Sequence, residues 1–153
     1  MKKFAFAVLL MCILCSGAAV AELGKPVLID KTRIGSEYFL VSCDKADEMI
    51  TVVIRCIYSE EERNKISGLL VKQGVEPKAA ASLRSCEFSL RYSPEGDEFQ
   101  RRYDRLFDGE GNVIRNLRQN TEAWYDMLST AVLPRHAFEI AEKILNSKDV
   151  TEN

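Results

Sequence analysis

The sequence predicts an α+β domain: an antiparallel sheet of about six strands with helices packed on one face, in the order β-β-β-α-β-β-β-α-α. Three observations predict it. Alternating and β-branched stretches fall into two groups of three, a strongly capped helix separates the groups, and helical spacing returns near the C-terminus. No strand–helix–strand alternation points to parallel units.

Val27 to Arg33 and Glu37 to Cys43 read as short strands, the second running into the polar turn Asp44-Lys45-Ala46-Asp47. Met49 to Tyr58 is rich in β-branched residues and is expected to be a central strand. Ser59 followed by Glu60, Glu61 and Glu62 supplies an N-cap, acids where the helix dipole favours them, and a capping box. Ile66, Leu69 and Leu70 share one face of that helix, and Gly74 stops it. The alanine-rich stretch Lys78 to Leu83 carries no decisive pattern. Arg84 to Tyr92 puts Cys86, Phe88, Leu90 and Tyr92 on one strand face, and Ser93-Pro94-Glu95-Gly96 turns the chain. Glu98 to Phe107 and Asn112 to Leu117 flank a second turn, Asp108-Gly109-Glu110-Gly111. Thr121 is placed to cap a short helix carrying Trp124, Met127 and Leu128, and Ala137, Ile140, Ala141, Ile144 and Leu145 define a last helix after Pro134.

The N-terminus predicts a compartment. Lys2 and Lys3 precede an apolar run from Phe4 to Cys15, and Ala19-Val20-Ala21 is a small-x-small site, so a secretory signal peptide is expected over residues 1–21. Ser16-Gly17 ends the run short of the ~20 residues a membrane span needs. Met11 before Cys12 and Leu14 before Cys15 argue against lipoprotein processing. A periplasmic or secreted, unanchored product follows, with one domain over residues 22–150 and a disordered polar tail at 151–153.

The whole chain of 153 residues has 21 basic and 23 acidic residues. Removing residues 1–21 takes away two lysines and two cysteines, leaving a formal charge of −4 and three cysteines. An acidic product of this kind lacks the basic excess of a nucleic-acid binder. The spacings of 13 and 30 residues among Cys43, Cys56 and Cys86 contain no Cys-x-x-Cys, and the sequence shows no glycine-rich phosphate loop or metal-ligand cluster, so no metal or cofactor is expected. Cys43, Cys56 and Cys86 allow one internal disulfide, with the third thiol buried, reactive or joined to a second chain as a homodimer.

The order Tyr58-Ser59-Glu60, Ser85-Cys86, Gly111-Asn112-Val113-Ile114, Trp124 and Pro134 resembles the surface-adhesin protein E-like family of bacterial envelope proteins over about two thirds of the chain. The resemblance implies a small exported protein with an antiparallel sheet and a packed helix and, for the adhesin itself, binding of host matrix proteins and self-association. This chain departs from the family in two places. No cysteine follows Cys86 to make the family's bridge near the C-terminus, and Ser93 to Asp97 is an insertion. Cys86 is instead expected to meet Cys56 if their strands are neighbours, leaving Cys43 as the free thiol.

The alternation Phe99, Arg101, Tyr103, Arg105 and Phe107 puts rings and guanidinium groups on one face of a strand. Such a surface suits a protein or another acidic ligand, because arginine pairs bidentately with carboxylates while rings exclude water. The competing reading is a half-buried sheet face whose arginines reach Asp104, Asp108 or Glu95. His136 offers a base for a Cys-His nucleophile only if a thiol lies beside it. Glu60 to Glu62 point in different directions on a helix and serve as its cap; Asp44, Asp47 and Glu48 lack an EF-hand pattern; Trp124 and Tyr125 are expected to seal the core edge. No catalytic residue is assigned. The expected function is a non-catalytic, adhesin-like binding role in the cell envelope, with a thiol-active periplasmic enzyme or a disulfide-linked structural dimer as the alternatives.

Overall fold

A computed structural model describes residues 21–117 and 122–149. The expected signal peptide (apart from residue 21), the expected cap Thr121 and the expected tail lie outside the described residues. The chain forms β1 (Ala21–Lys31), β2 (Glu37–Ala46), β3 (Met49–Ile57), α1 (Glu60–Lys72), α2 (Pro77–Ala81), β4 (Leu83–Tyr92), β5 (Glu98–Asp108), β6 (Val113–Leu117), β7 (Tyr125–Asp126) and α3 (Val132–Asp149). The fold is the expected α+β class. Its sheet is an antiparallel meander in which β1 to β6 lie side by side in chain order, and β7 pairs with β5.

Period-2 alternation divides the sheet into a helix-covered face and an open one. Ile50, Val52, Ile54 and Cys56 of β3 and Cys86, Phe88, Leu90 and Tyr92 of β4 are buried on the first. Leu70 of α1, Ala80 of α2, and Ala137 and Ala141 of α3 join the same core. Leu69, expected on the buried stripe of α1, is exposed. Small alanines let α3 approach the strands closely, and Tyr92 fixes it: its hydroxyl donates to the Pro134 carbonyl at 2.8 Å and its ring meets Phe138 at 5.1 Å. Pro134 falls in the first turn of α3, where a missing N–H costs nothing.

The helix-start signal at Ser59 is realised with one addition. Ser59 Oγ accepts from the Glu62 N–H at 3.3 Å, as a cap should. The return arm of the capping box runs through a third residue: the Ser59 N–H donates to Ser36 Oγ at 2.9 Å, and the Ser36 hydroxyl donates to the Glu62 carboxylate. Ser36 is fully buried and ties the β1–β2 connection to the start of α1. Glu76 caps α2 through the Ala79 N–H at 3.0 Å, with Pro77 opening the helix.

Two expectations change. β1 begins at Ala21, earlier than Val27, with a register shift between Glu22 and Val27 that accommodates Gly24-Lys25-Pro26. The segment around Trp124 is not helical: Tyr125–Asp126 pairs with Phe99 and Glu98, and the Met127 N–H donates to Asp97 at 2.6 Å. The open edge of β5 offers unpaired backbone groups there, and Phe99 offers Tyr125 a ring contact at 5.7 Å. Trp124 and Tyr125 consequently stand exposed instead of sealing the core.

Candidate functional site

The arginine–aromatic row is divided between the two faces. The partners along β4–β5 run Phe107 with Ser85, Arg105 with Glu87 and Tyr103 with Ser89, and then shift so that Arg101 faces Leu90 and Phe99 faces Tyr92. Arg102 is the extra residue of this bulge, and one extra residue reverses which face every later side chain takes. Tyr103, Arg105 and Phe107 therefore share the open face, whereas Phe99 and Arg101 lie on the helix-covered face. The expected single face of five is corrected to these two groups.

Arg101 is held internally. Its Nε lies 2.8 Å from the buried Asp104 carboxylate, and its guanidinium covers the Phe88 ring at 4.3 Å. This is the reading in which an arginine snorkels over an aromatic ring to its own acid, and it applies to Arg101 only.

The open face has a different character. Glu87 stands at its centre, bonded by Arg55 Nη2 at 2.9 Å and by the Tyr103 hydroxyl at 3.4 Å. Burial, with Glu87 beside it, pushes the Tyr103 hydroxyl above its ordinary pKa, so it remains a donor at neutral pH. Arg105 lies over the Tyr103 ring at 4.8 Å and has no carboxylate partner among the described residues. The cross-strand pair Glu87 and Arg105 thus places one carboxylate, already engaged by Arg55, beside a second arginine that it does not bond. Adjoining this row is a cleft of about 380 Å³ between Arg55, Ile57, Arg84, Ser85 and Phe107. The acid at its rim, Asp108, turns inward to its own loop: it accepts from the Asn112 N–H at 2.8 Å, from Asn112 Nδ2 at 3.0 Å and from the Glu110 N–H at 2.9 Å. These bonds, Asn112 foremost, lower its pKa.

No family model, curated protein or solved structure matches this chain. The functional reading therefore rests on the residues themselves.

A second cluster lies under the helices. Cys56 and Cys86 are direct cross-strand partners on β3 and β4. Both are buried and are free cysteines, so the expected disulfide between them is not closed in this structure. A hydrogen-bond chain links the groups around them: Tyr38 donates to Cys56, Cys56 donates to Cys86, and Tyr58 also donates to Cys86. The bond from Cys56, with help from Tyr58 and Arg101, lowers the Cys86 pKa against the opposing effect of burial. Donating that bond, together with burial, raises Cys56. Sequence spacing located the two thiols; the two tyrosines carried no signal beyond sharing the strand phase of Cys56.

Cys43, expected as the free thiol, is buried opposite Val52, turned inward by a bulge at Val41. His136 is exposed in the first turns of α3, two residues after the Pro134 carbonyl that Tyr92 binds. Cys86 lies six residues back along β4 from Tyr92, about 20 Å at strand rise. The structure therefore does not bring Cys86 and His136 together as a Cys-His nucleophile. Among the described residues, no group of three or more His, Cys, Asp and Glu side chains converges as a metal site, and no helix is long and apolar enough to cross a membrane.

Proposed function

We propose that this is an exported protein of the bacterial envelope that works by binding, and that its open sheet face takes an acidic partner. The observation that carries the proposal is the Arg55–Glu87–Arg105 row, in which Arg55 pairs with the one carboxylate, Arg105 lies over the Tyr103 ring with no carboxylate partner among the described residues, and Tyr103 and Phe107 stand half-buried beside them. A chain expected to be acidic once exported has no self-evident need for a cationic face, and Phe107 and Ile57 at the adjoining cleft supply apolar surface for the partner's non-polar atoms. The positive n-region, apolar run and Ala19-Val20-Ala21 site support the export, and the resemblance to the surface-adhesin protein E-like family supports the envelope role.

Poly-L-glutamate serves as a defined acidic probe. The wild-type protein is expected to bind it at low salt, and Arg55→Ala/Arg105→Ala to bind it more weakly at an unchanged melting temperature. Equal binding by the double variant would overturn the assignment of the face. The export claim has its own readout: the N-terminal residue of protein recovered outside the cytoplasm is expected to be Glu22, and an intact Met1 would refute it.

A further inference from the structure

We infer that Cys56 and Cys86 are a disulfide-forming pair, closed by exchange with a disulfide-carrying donor as β3 and β4 come together, and that Cys43 stays a thiol. The inference is independent of the binding role of the open face. It begins from the register of the sheet. The Tyr58 N–H donates to the Arg84 carbonyl at 3.2 Å. Tyr58 is two residues beyond Cys56, and Arg84 two before Cys86, so Cys56 and Cys86 also form a hydrogen-bonded antiparallel pair. The Cα atoms of such a pair lie about 5.5 Å apart, inside the usual range for a disulfide. The two sulfurs already hydrogen-bond each other, so they face one another across the ladder.

Cys43 is excluded by distance. Its partner Val52 is four residues from Cys56 on the same strand, about 13 Å away and well beyond the ~7 Å a bridge can span. Burial sets the timing. Cys56 is 0% exposed and Cys86 7%, so a donor reaches them readily only before the sheet and its helices have closed, and a reductant is then kept from the finished bond.

The chemistry is two exchanges. The thiolate of one cysteine attacks a sulfur of the donor disulfide; that S–S bond breaks, and the donor's first thiolate leaves. The second cysteine gives its proton to solvent and attacks the protein sulfur of the mixed disulfide, releasing the donor's second thiolate. Two protein thiols are oxidised by two electrons, and the donor is reduced to two thiols. The new bond spans the helical excursion α1–α2 and joins the two central strands at its base.

The test folds the reduced full chain in oxidised glutathione, alkylates it natively and again after denaturation, and maps its peptides. The expected result is a Cys56–Cys86 linked peptide, Cys43 alkylated only after denaturation, and a bridge that survives dithiothreitol until the chain is unfolded. A map of protein exported to the bacterial periplasm gives the same readout without refolding and is expected to show the same link. A bridge containing Cys43, or Cys56 and Cys86 both alkylated after folding with the donor, would overturn the pairing. Reduction of the native bridge as fast as that of the unfolded one would overturn the shielding.

Discussion

Replacing Gly96 with alanine tests how α3 is seated on the sheet. Gly96 sits in the β4–β5 turn at φ +71°, in the left-handed region that costs an L-residue about 1–2 kcal/mol. A Cβ there would also enter the Phe138 ring, closest to Cζ, with Cε1 at 2.6 Å and Cε2 at 3.0 Å. Phe138 cannot retreat freely, because it packs on Tyr92, which in turn holds the Pro134 carbonyl. Displacing such a ring costs about 1–3 kcal/mol. The two effects together give about 3 kcal/mol, or roughly 10 °C in melting temperature for a domain of this size. Gly74→Ala is the control: it has φ +87° but nothing within 4 Å of the added Cβ, so it carries the backbone cost alone, about 1 kcal/mol. Urea melts of both variants provide the comparison, and Phe138→Leu in the Gly96→Ala background is expected to recover part of the loss. If Gly96→Ala is no more destabilised than Gly74→Ala, the ring contact does not anchor α3.

Other consequences follow from the same contacts. Closing the Cys56–Cys86 bond creates a 31-residue loop, for which the chain-entropy relation gives about 3.7 kcal/mol of stabilisation; calorimetry of oxidised against reduced protein is expected to show it, and equal melting temperatures would refute it. Ser36→Ala strands the Ser59 N–H and removes a donor from Glu62, so a loss of about 2 kcal/mol is expected in urea, and a loss under about 0.5 kcal/mol would show that the relay is dispensable. Burial raises Tyr92 and Tyr58 well above their ordinary value. The native state therefore keeps these protons where the unfolded chain releases them; this stability is present below about pH 10 and is lost as pH rises, by roughly 3 kcal/mol per pH unit for the two tyrosines together. Stability that is flat from pH 9 to pH 11 would contradict their burial.

Much of the fold was legible because local chemistry and tertiary packing agree. The β-branched run from Met49 gives β3, and Ser59 with three acids and a distant Gly74 brackets α1 closely. Bulges were not legible in the alternation itself. Phe99, Arg101, Tyr103, Arg105 and Phe107 alternate perfectly in the sequence, yet the register shifts by one residue at Arg102 and the row divides. A signal did exist: Phe99 and Leu106 both face the core although they are seven residues apart, an odd spacing that requires one extra residue between them. The helix expected at Trp124 failed for a different reason. Its apolar spacing was short, and pairing with the exposed edge of β5 satisfied more backbone than an isolated turn could. The thiol pair was placed by the phase of two strands, but the tyrosines and Ser36 converge only through sheet register and the β1–β2 connection, which no local pattern encodes.

The claim that the open sheet face binds an acidic partner is tested most directly by titrating the isotope-labelled protein with poly-L-glutamate and following its amide resonances. Perturbations are predicted to gather at Arg55, Glu87, Tyr103, Arg105 and Phe107 and to fade with salt, and Arg55→Ala/Arg105→Ala is predicted to weaken the interaction about tenfold, from about 0.7 kcal/mol per arginine. Perturbations confined to α1 and α3, or none at low salt, would contradict the account.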